Sequence, residues 1–473
     1  MPGFRILGSC DARRSRGLAL LLPRLPKILK PGTALLAAVL LLACGNPAGD
    51  RGAEGARPII LLDIDSLRAD HLGCYGSSRA TSPNIDALAA DAVRFEWAFS
   101  QAPDTAPAQA SLLTGLYPSS HGLVDQLHRL PDEAQTLAEM LVAHGYATAA
   151  FVDGGFLSEE FGFAQGFDVY DNSRGEGLAT IGPKVLEYLR AHAAEPFLLV
   201  VHSYDPHPPY DPPEPCRSRM LEGLGPPGEG FDASLQALEA ARAALAAEPP
   251  RPLPASDLER LEALYDGEVC HVDSWVGRIL DQVRELGLDR RAVIVLASDH
   301  GQEFQEHGLL LHDGLYSTVT RVPLLLRLPA GEHAGVVPKI VETVDVVPTL
   351  LDLVGVEIPA AVQGASLLPL IRGQGTPPYL AFGERAGGHA FVALGAFRMV
   401  LDGATGQAEL YNFLEDPLEL TDLAAAEPKR VEVLKLHLEA HRQRLADASL
   451  GAEGGGQLGQ DTLEQLKTLG YVQ

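Results

Sequence analysis

Thr105 lies just before Pro107, and the run Ala108–Leu113 that follows is strongly helix-forming. Proline is favoured at the first position of a helix, where its missing N–H costs nothing. The sequence therefore predicts a helix opening at Pro107, with Thr105 delivered to its N-terminal end. Unpaired N–H groups and the helix dipole favour an anion at that end. A hydroxyl beside an anion site points to nucleophilic attack on a sulfate or phosphate ester. The plain alternative is a threonine near a helix cap.

Other side chains suit the same chemistry. Asp65 follows the apolar run Ile59–Ile64, and Asp299-His300-Gly301 follows the run Ala292–Ser298. Two carboxylates, a neutral imidazole and the Thr105 oxygen could surround one divalent cation. Oxygen-rich ligation suits Ca²⁺ or Mn²⁺, and the imidazole also permits Zn²⁺. Such a cation stabilises an alkoxide and polarises an ester oxygen. His207, in the rigid loop Asp205-Pro206-His207-Pro208-Pro209-Tyr210, could bond an ester oxygen or protonate a leaving group. His312 and His121 are further candidates of the same kind. Glu303, His307 and His312 invite a second metal, although Glu-x-x-x-His is also an ordinary helix-face pair.

These residues need a scaffold that gathers them. Short, nearly continuous apolar runs at 58–65, 146–153, 197–202 and 292–298 suit strands buried on both faces of a parallel sheet. Helical patterns lie between them at 84–92, 136–144, 182–193 and 257–286. The alternation predicts an α/β fold, with a large, mostly parallel central sheet flanked by helices. Asp65, Asp205, His207, Asp299 and His300 all follow strands, at the sheet edge where ligands bind in such folds. Residues 212–256 read as a Pro/Gly-rich surface insertion holding one Ala-rich helix at about 233–247. After a linker at 373–378, strand-like pieces at 391–394, 397–401 and 409–411 and a helix at 429–446 predict a small C-terminal α+β subdomain. The expected division is a catalytic domain at 58–372 and a subdomain with antiparallel strands and a terminal helix at 377–473.

The N-terminus is a different kind of sequence. Seven basic residues precede the apolar run Thr33–Ala43, which resembles an export signal more than a spanning helix. Leu41-Leu42-Ala43-Cys44-Gly45 resembles a bacterial lipoprotein box. The expectation is a signal at 1–43, acylation of Cys44, a tether at 44–57, and an exported, lipid-anchored protein of the cell envelope, periplasmic or at the outer membrane. Cleavage removes seven positive charges and one negative, taking the formal balance from −25 to −31. A surface that acidic argues against nucleic acid as a partner and gives no general attraction to polyanions. Cys74, Cys216 and Cys270 then remain, an odd count at scattered spacing. Pairing of Cys216 with Cys270 is open, and no zinc-type spacing occurs.

From about residue 57 to 473 the chain resembles the sulfatase family of the alkaline phosphatase superfamily. The resemblance rests on Leu62-Asp63-Ile64-Asp65-Ser66-Leu67-Arg68-Ala69-Asp70-His71-Leu72-Gly73-Cys74-Tyr75-Gly76, Ser82-Pro83-Asn84-Ile85-Asp86 and Ala110-Ser111-Leu112-Leu113-Thr114-Gly115. Asp205-Pro206-His207, Tyr265-Asp266-Gly267-Glu268, Ser298-Asp299-His300-Gly301 and Arg321-Val322-Pro323 add to it. Glu409-Leu410-Tyr411-Asn412, Asp416-Pro417 and Leu469-Gly470-Tyr471 complete it. It implies Asp65, Asp299, His300 and the Thr105 oxygen as ligands of one divalent cation, calcium first. It implies His207 and His312, with His121, at the ester group. The family signature is Cys or Ser, any residue, Pro, any residue, Arg, its first residue oxidised to formylglycine. Here that register holds Thr105 and Gln109, and Ser66 stands where many members carry a second aspartate ligand.

Threonine is not converted to formylglycine by chemistry that acts on Cys or Ser. A simple threonine ester also lacks the elimination route open to a geminal diol. A metal-bound threonine resembles instead the related phosphotransferases and nucleotide phosphodiesterases, in which water or a second alcohol cleaves a phospho-threonine. The leading expectation is a metal-dependent hydrolase or transferase of a sulfate or phosphate ester, phosphate favoured, on a small-molecule, glycan or lipid ester. The alternative is a catalytically degenerate, surface-anchored protein that binds sulfated or phosphorylated ligands. A purely structural lipoprotein would leave the four converging segments unexplained.

Overall fold

A computed structural model describes residues 56–125, 128–173, 177–225, 232–375, 379–451, 453–454 and 458–469. The expected export signal, Cys44 and nearly all of the tether lie outside the described residues, as does the Gly470-Tyr471 end of the last family motif.

The apolar run after Pro58 forms strand β1 (Ile59–Ile64), buried at every position. It lies between β5 (Phe197–Ser203) and β6 (Val293–Ala297) and runs parallel to both. A strand with neighbours on both edges and helices on both faces has no wet side. A run without polar alternation is what that position demands. Around this core stand β2 (Val93–Phe99), β3 (Ala147–Val152), β4 (Val169–Asn172), β7 (Arg321–Val322), β8 (Leu324–Arg327) and β9 (Gly335–Glu342). Among the described residues the order is β7-β2-β8-β6-β1-β5-β3-β4, with β9 paired to β2. β8 runs antiparallel to both β6 and β2, so the sheet is mixed, with its parallel strands at the centre.

The two faces of β1 enter different cores. Ile60, Leu62 and Ile64 pack with α1 (Pro83–Ala90), α4 (Leu178–His192) and α6 (Ala255–Glu285). Ile59 and Leu61 pack with α2 (Thr105–Thr114), α3 (Leu137–Val142) and α7 (Val346–Val354). Alternation continues along the chain, so Asp63 and the following Asp65 share the α2 face. The 212–256 insertion carries α5 (Leu235–Leu245), and a Cys216–Cys270 disulfide ties it to α6. Cys74 is the free thiol among the described residues.

Two helix starts differ from the sequence reading. α2 opens at Thr105 with Asp104 as N-cap, so Pro107 occupies the third position, still within the first turn that tolerates proline. α4 opens at Leu178 and keeps Pro183 inside. Its first turn is secured by buried Leu178 and Ile181 and by the Asp205 carboxylate, which accepts the Leu178 N–H at 2.8 Å. Asp205 is thereby committed to a helix end.

A second sheet joins β10 (Leu380–Arg385), β11 (His389–Leu394), β12 (Phe397–Leu401) and β13 (Ala408–Asn412), all antiparallel. α8 (Pro428–Ala446) covers it through Leu434, Leu438 and Leu445. α9 (Gln460–Thr468) then returns to the main body, where Leu466 enters the α2-side core. No helix among the described residues is long and apolar enough to cross a membrane.

Candidate active site

Helix α2 lies antiparallel to β1 and is buried at all its positions. Thr105 and Gln109, four residues apart on a helix, are separated by about 6 Å along its axis. Asp63 and Asp65, two apart on a strand, are separated by about 6.6 Å. The two spacings match, so each helical side chain meets one carboxylate. Thr105 Oγ1 lies 3.2 Å from Asp65 Oδ2, and the Gln109 amide donates to Asp63 Oδ2. Opposite them, the turn after β6 brings His300 Nε2 to 3.2 Å from Thr105 Oγ1.

Hydrogen bonding fixes the roles of these atoms. His300 Nδ1 donates to the Gly301 carbonyl at 3.0 Å, which leaves Nε2 as the acceptor nitrogen of the neutral ring. Thr105 has one hydroxyl proton for two acceptors, Asp65 Oδ2 and His300 Nε2. Asp299 Oδ1 accepts the backbone N–H groups of His300 (2.8 Å) and Ser66 (3.2 Å), while its buried Oδ2 has no hydrogen-bond partner. One donor atom from each of Asp65, Asp299 and His300 lies within 4.8 Å of the others. Facing acceptors, an orphaned carboxylate oxygen and a hard-oxygen-plus-imidazole donor set fit one divalent cation.

Charge follows the same logic. Burial opposes ionisation of Asp65, yet the imidazoles of His202, His300 and His207 hold its carboxyl far below the usual range. Burial, then the charges of Asp65 and Asp63, push Asp299 well above it. Burial also raises Asp63 to about 6, against His202 and Gln109. Burial pulls His300 and His207 down to about 4, which keeps both rings neutral near pH 7. Ser66 hydrogen-bonds Asp65 with its hydroxyl and adopts φ 56°, a left-handed conformation unusual for serine. Tyr265 from α6 holds that turn, donating to the Ser66 carbonyl and accepting the Arg68 N–H, both at 2.8 Å.

The histidines separate into two groups. His312 stands over His300, ring centroids 4.5 Å apart, and His207 lies 6.0 Å from His312. His207 Nδ1 donates to the Pro208 carbonyl, so its Nε2 is the acceptor nitrogen. His121 is not brought to this cluster. It is fully buried, its Nδ1 accepts the Leu123 N–H, and its Nε2 lies 3.1 Å from Ser111 Oγ. Burial lowers it to about 3, as befits a neutral packing residue. The second-metal arrangement is not formed either. Glu303 and His307 pair with each other at 3.0 Å, and His307 Nε2 bonds the Glu419 carbonyl.

Four residues join the site without having been singled out from sequence. Asp63 shares a strand face with Asp65, and period-two alternation would have found it. His202 is its register partner on β5. Asp104, next to Thr105, lies 3.6 Å from His312 Nδ1 and 3.2 Å from Arg385 Nε. Burial opposes its ionisation, but His312 and Arg385 hold its carboxyl below the usual range. Arg385 ends β10, 281 residues away, and no local pattern announces it.

Residues 57–356, most of the chain, match the Sulfatase family. The chain belongs to the sulfatase family. As a sulfatase-family chain it is an ester hydrolase by membership, and members generally bind a divalent cation. Residues 305–446 also match the family described as N-sulphoglucosamine sulphohydrolase, C-terminal. An N-acetylglucosamine-6-O-sulfatase of Bacteroides thetaiotaomicron is 25% identical, over 87% of this chain and 91% of that protein. A multifunctional alkaline phosphatase superfamily protein of Trinickia caryophylli is also 25% identical, over 66% of this chain and 76% of that one. Among solved structures, one in complex with its substrate D-glucosamine-2-N,6-O-disulfate has a TM-score of 0.70 at 21% identity, covering 83% of this chain and 98% of that one. The phosphonate monoester hydrolase of Agrobacterium radiobacter has a TM-score of 0.64 at 22% identity, covering 83% and 96%. Both share the fold of this sulfatase-family chain.

Proposed function

We propose that the chain is a metal-dependent hydrolase or transferase of sulfate or phosphate esters, phosphate favoured, with Thr105 as nucleophile. The observation that carries this reading is the position of Thr105 Oγ1, 3.2 Å from both Asp65 Oδ2 and His300 Nε2 in the first turn of a buried helix. A divalent cation held by Asp65, Asp299, His300 and Thr105, with Ca²⁺ first and Mn²⁺ or Zn²⁺ compatible, would stabilise the threonine alkoxide and polarise the ester.

The chain's own residues do the rest. Thr105 Oγ1 attacks phosphorus and its bond forms as the bond to the alcohol oxygen breaks. The threonine gives up a proton as the departing alcohol gains one. Water or a second alcohol then attacks phosphorus as the bond to Thr105 Oγ1 breaks; His207 Nε2 takes the incoming proton, and its return to the threonine oxygen restores the hydroxyl and the neutral ring. His312, held by Asp104, orients the ester group beside His207. His121 buttresses α2 from behind.

Phosphate is favoured because a threonyl ester must be cleaved by attack at the central atom. Gln109 bonds Asp63 and brings no positive charge to the site. The Cys216–Cys270 disulfide supports an oxidising compartment, in keeping with an exported, lipid-anchored envelope protein.

Intact-mass analysis after incubation with paired aryl phosphate and aryl sulfate tests the reading. The expected result is a covalent adduct from the phosphate ester, absent from Thr105→Ala. Unchanged turnover in Thr105→Ala overturns it. Elemental analysis of the purified protein should find one divalent cation per chain, and a metal-free protein without turnover would return the binding reading.

A further inference from the structure

Position 202 is an unexpected place for a histidine. On β5, Leu198 and Val200 point to the α2 face and sit in the apolar core there. Residue 202 continues that alternation, so a valine or leucine would suit it. It is instead a wholly buried histidine, and neither ring nitrogen has a hydrogen-bond partner among the described residues. A buried polar group without partners is destabilising. His121 is buried as deeply, yet Leu123 and Ser111 meet both of its nitrogens. Packing alone therefore gives no reason for His202.

A carboxylate beside the ring does. His202 Nε2 lies 3.8 Å from Asp65 Oδ2, against about 2.9 Å for an N–H···O hydrogen bond. Tyr204 meets the ring edge-on, centroids 4.9 Å apart, and Asp63 stands across from it in register. Asp65 Oδ1 already accepts the Ser66 hydroxyl, and Oδ2 has the Thr105 hydroxyl at 3.2 Å. That hydroxyl proton is the one that attack removes. Oδ2 then lacks its donor, and a neutral imidazole carries one N–H to offer.

We propose that His202 is a positioning residue for the divalent cation, acting through Asp65. Its N–H bonds Asp65 Oδ2 when Thr105 gives up its proton, and so keeps that carboxylate aimed at the cation. His202 touches neither the ester nor the cation. The inference rests on the reading of Asp65 as a metal ligand and adds the residue that holds this ligand in place.

The intact protein, stripped with EDTA, is titrated by calorimetry with Ca²⁺, Mn²⁺ and Zn²⁺ in turn. Asp65→Asn marks the affinity of any binding elsewhere on the chain. His202→Val and His202→Phe remove the N–H, while His202→Gln replaces it with an amide donor. The first two should weaken the tightest cation about 10–100-fold, and the glutamine variant should stay within about threefold of the parent. In EDTA, His202→Val should melt no lower than the parent, because it removes a buried polar group from an apolar face. Valine and phenylalanine variants that bind the cation as the parent does overturn the inference and leave the metal reading standing. A glutamine variant as weak as the valine one also overturns it, because the donor is then not what matters. Lower melting in EDTA for both the valine and phenylalanine variants assigns His202 to packing and overturns it too. A parent that binds every cation no tighter than Asp65→Asn overturns the metal reading itself, and the inference with it.

Discussion

At the scale of single residues, Thr105 and Gln109 hold the two positions of α2 that face β1. Each meets a carboxylate neighbour, Asp65 for Thr105 and Asp63 for Gln109. If Thr105 is the nucleophile as proposed, Thr105→Ala removes the attacking oxygen, and aryl phosphate turnover should fall to background while circular dichroism stays that of the parent. Thr105→Ser keeps the oxygen and should retain measurable turnover. Retention of activity by the alanine variant would remove Thr105 from the chemistry. Gln109→Leu leaves a buried carboxylate oxygen without its donor, a loss of about 1–3 kcal/mol, read as a lower urea midpoint. An unchanged midpoint would show that Asp63 does not depend on Gln109. The places of Asp65, Asp299 and His300 were legible in sequence because each closely follows a continuous apolar run, although Asp205 does the same and holds a helix end instead. His121 was not, because a buried histidine on a neighbouring turn carries the same local signature as one at the site.

At the scale of elements, the site depends on how β1 ends. Ser66 takes a left-handed φ, and the Tyr265 hydroxyl of α6 bridges its carbonyl to the Arg68 N–H. Tyr265→Phe breaks both bonds in a buried setting and should cost about 1–3 kcal/mol. The same turn carries Asp65, so metal affinity should fall along with thermal stability. A variant that loses stability but binds metal as before would show that the turn holds its shape without Tyr265. The sequence could supply the strand, the helix and their order. It could not supply the α6-to-β1 bridge, because nothing in a long amphipathic helix marks which tyrosine faces a distant turn.

At the scale of the whole molecule, the two sheets and the insertion are tied together by contacts far apart in sequence. The Cys216–Cys270 disulfide closes a loop of 54 residues, and the chain-entropy estimate for such a loop is about 4 kcal/mol. Reduction should lower the melting temperature, and the Cys216→Ser, Cys270→Ser double variant should match the reduced protein. Identical melting with and without reductant would show that the bond adds nothing to stability. His441 of α8 stacks on Phe382, ring centroids 3.9 Å apart, and accepts a hydrogen bond from Arg444. Burial, with Arg444 and Arg442, lowers its pKa to about 3. The neutral ring therefore stabilises the fold fully above pH about 6.5. That contribution is lost as pH falls toward 3, because the unfolded chain takes up a proton the folded one refuses, at up to about 1.4 kcal/mol per pH unit. His441→Phe keeps the stack and should flatten the fall in urea midpoint between pH 6.5 and 4.5. An equally steep fall would assign the acid sensitivity to other groups. The sequence by itself determined the parallel core, the alternation of its strands with helices, and the places of Asp65, Asp299 and His300 just beyond strand ends, because each is written in a short run governed by local periodicity. Only the tertiary structure decided that Gln109 meets Asp63, that His121 stays out of the site, and that Arg385 reaches Asp104 across 281 residues. Those facts depend on which faces pack together, and packing between distant segments leaves no periodic mark in either one.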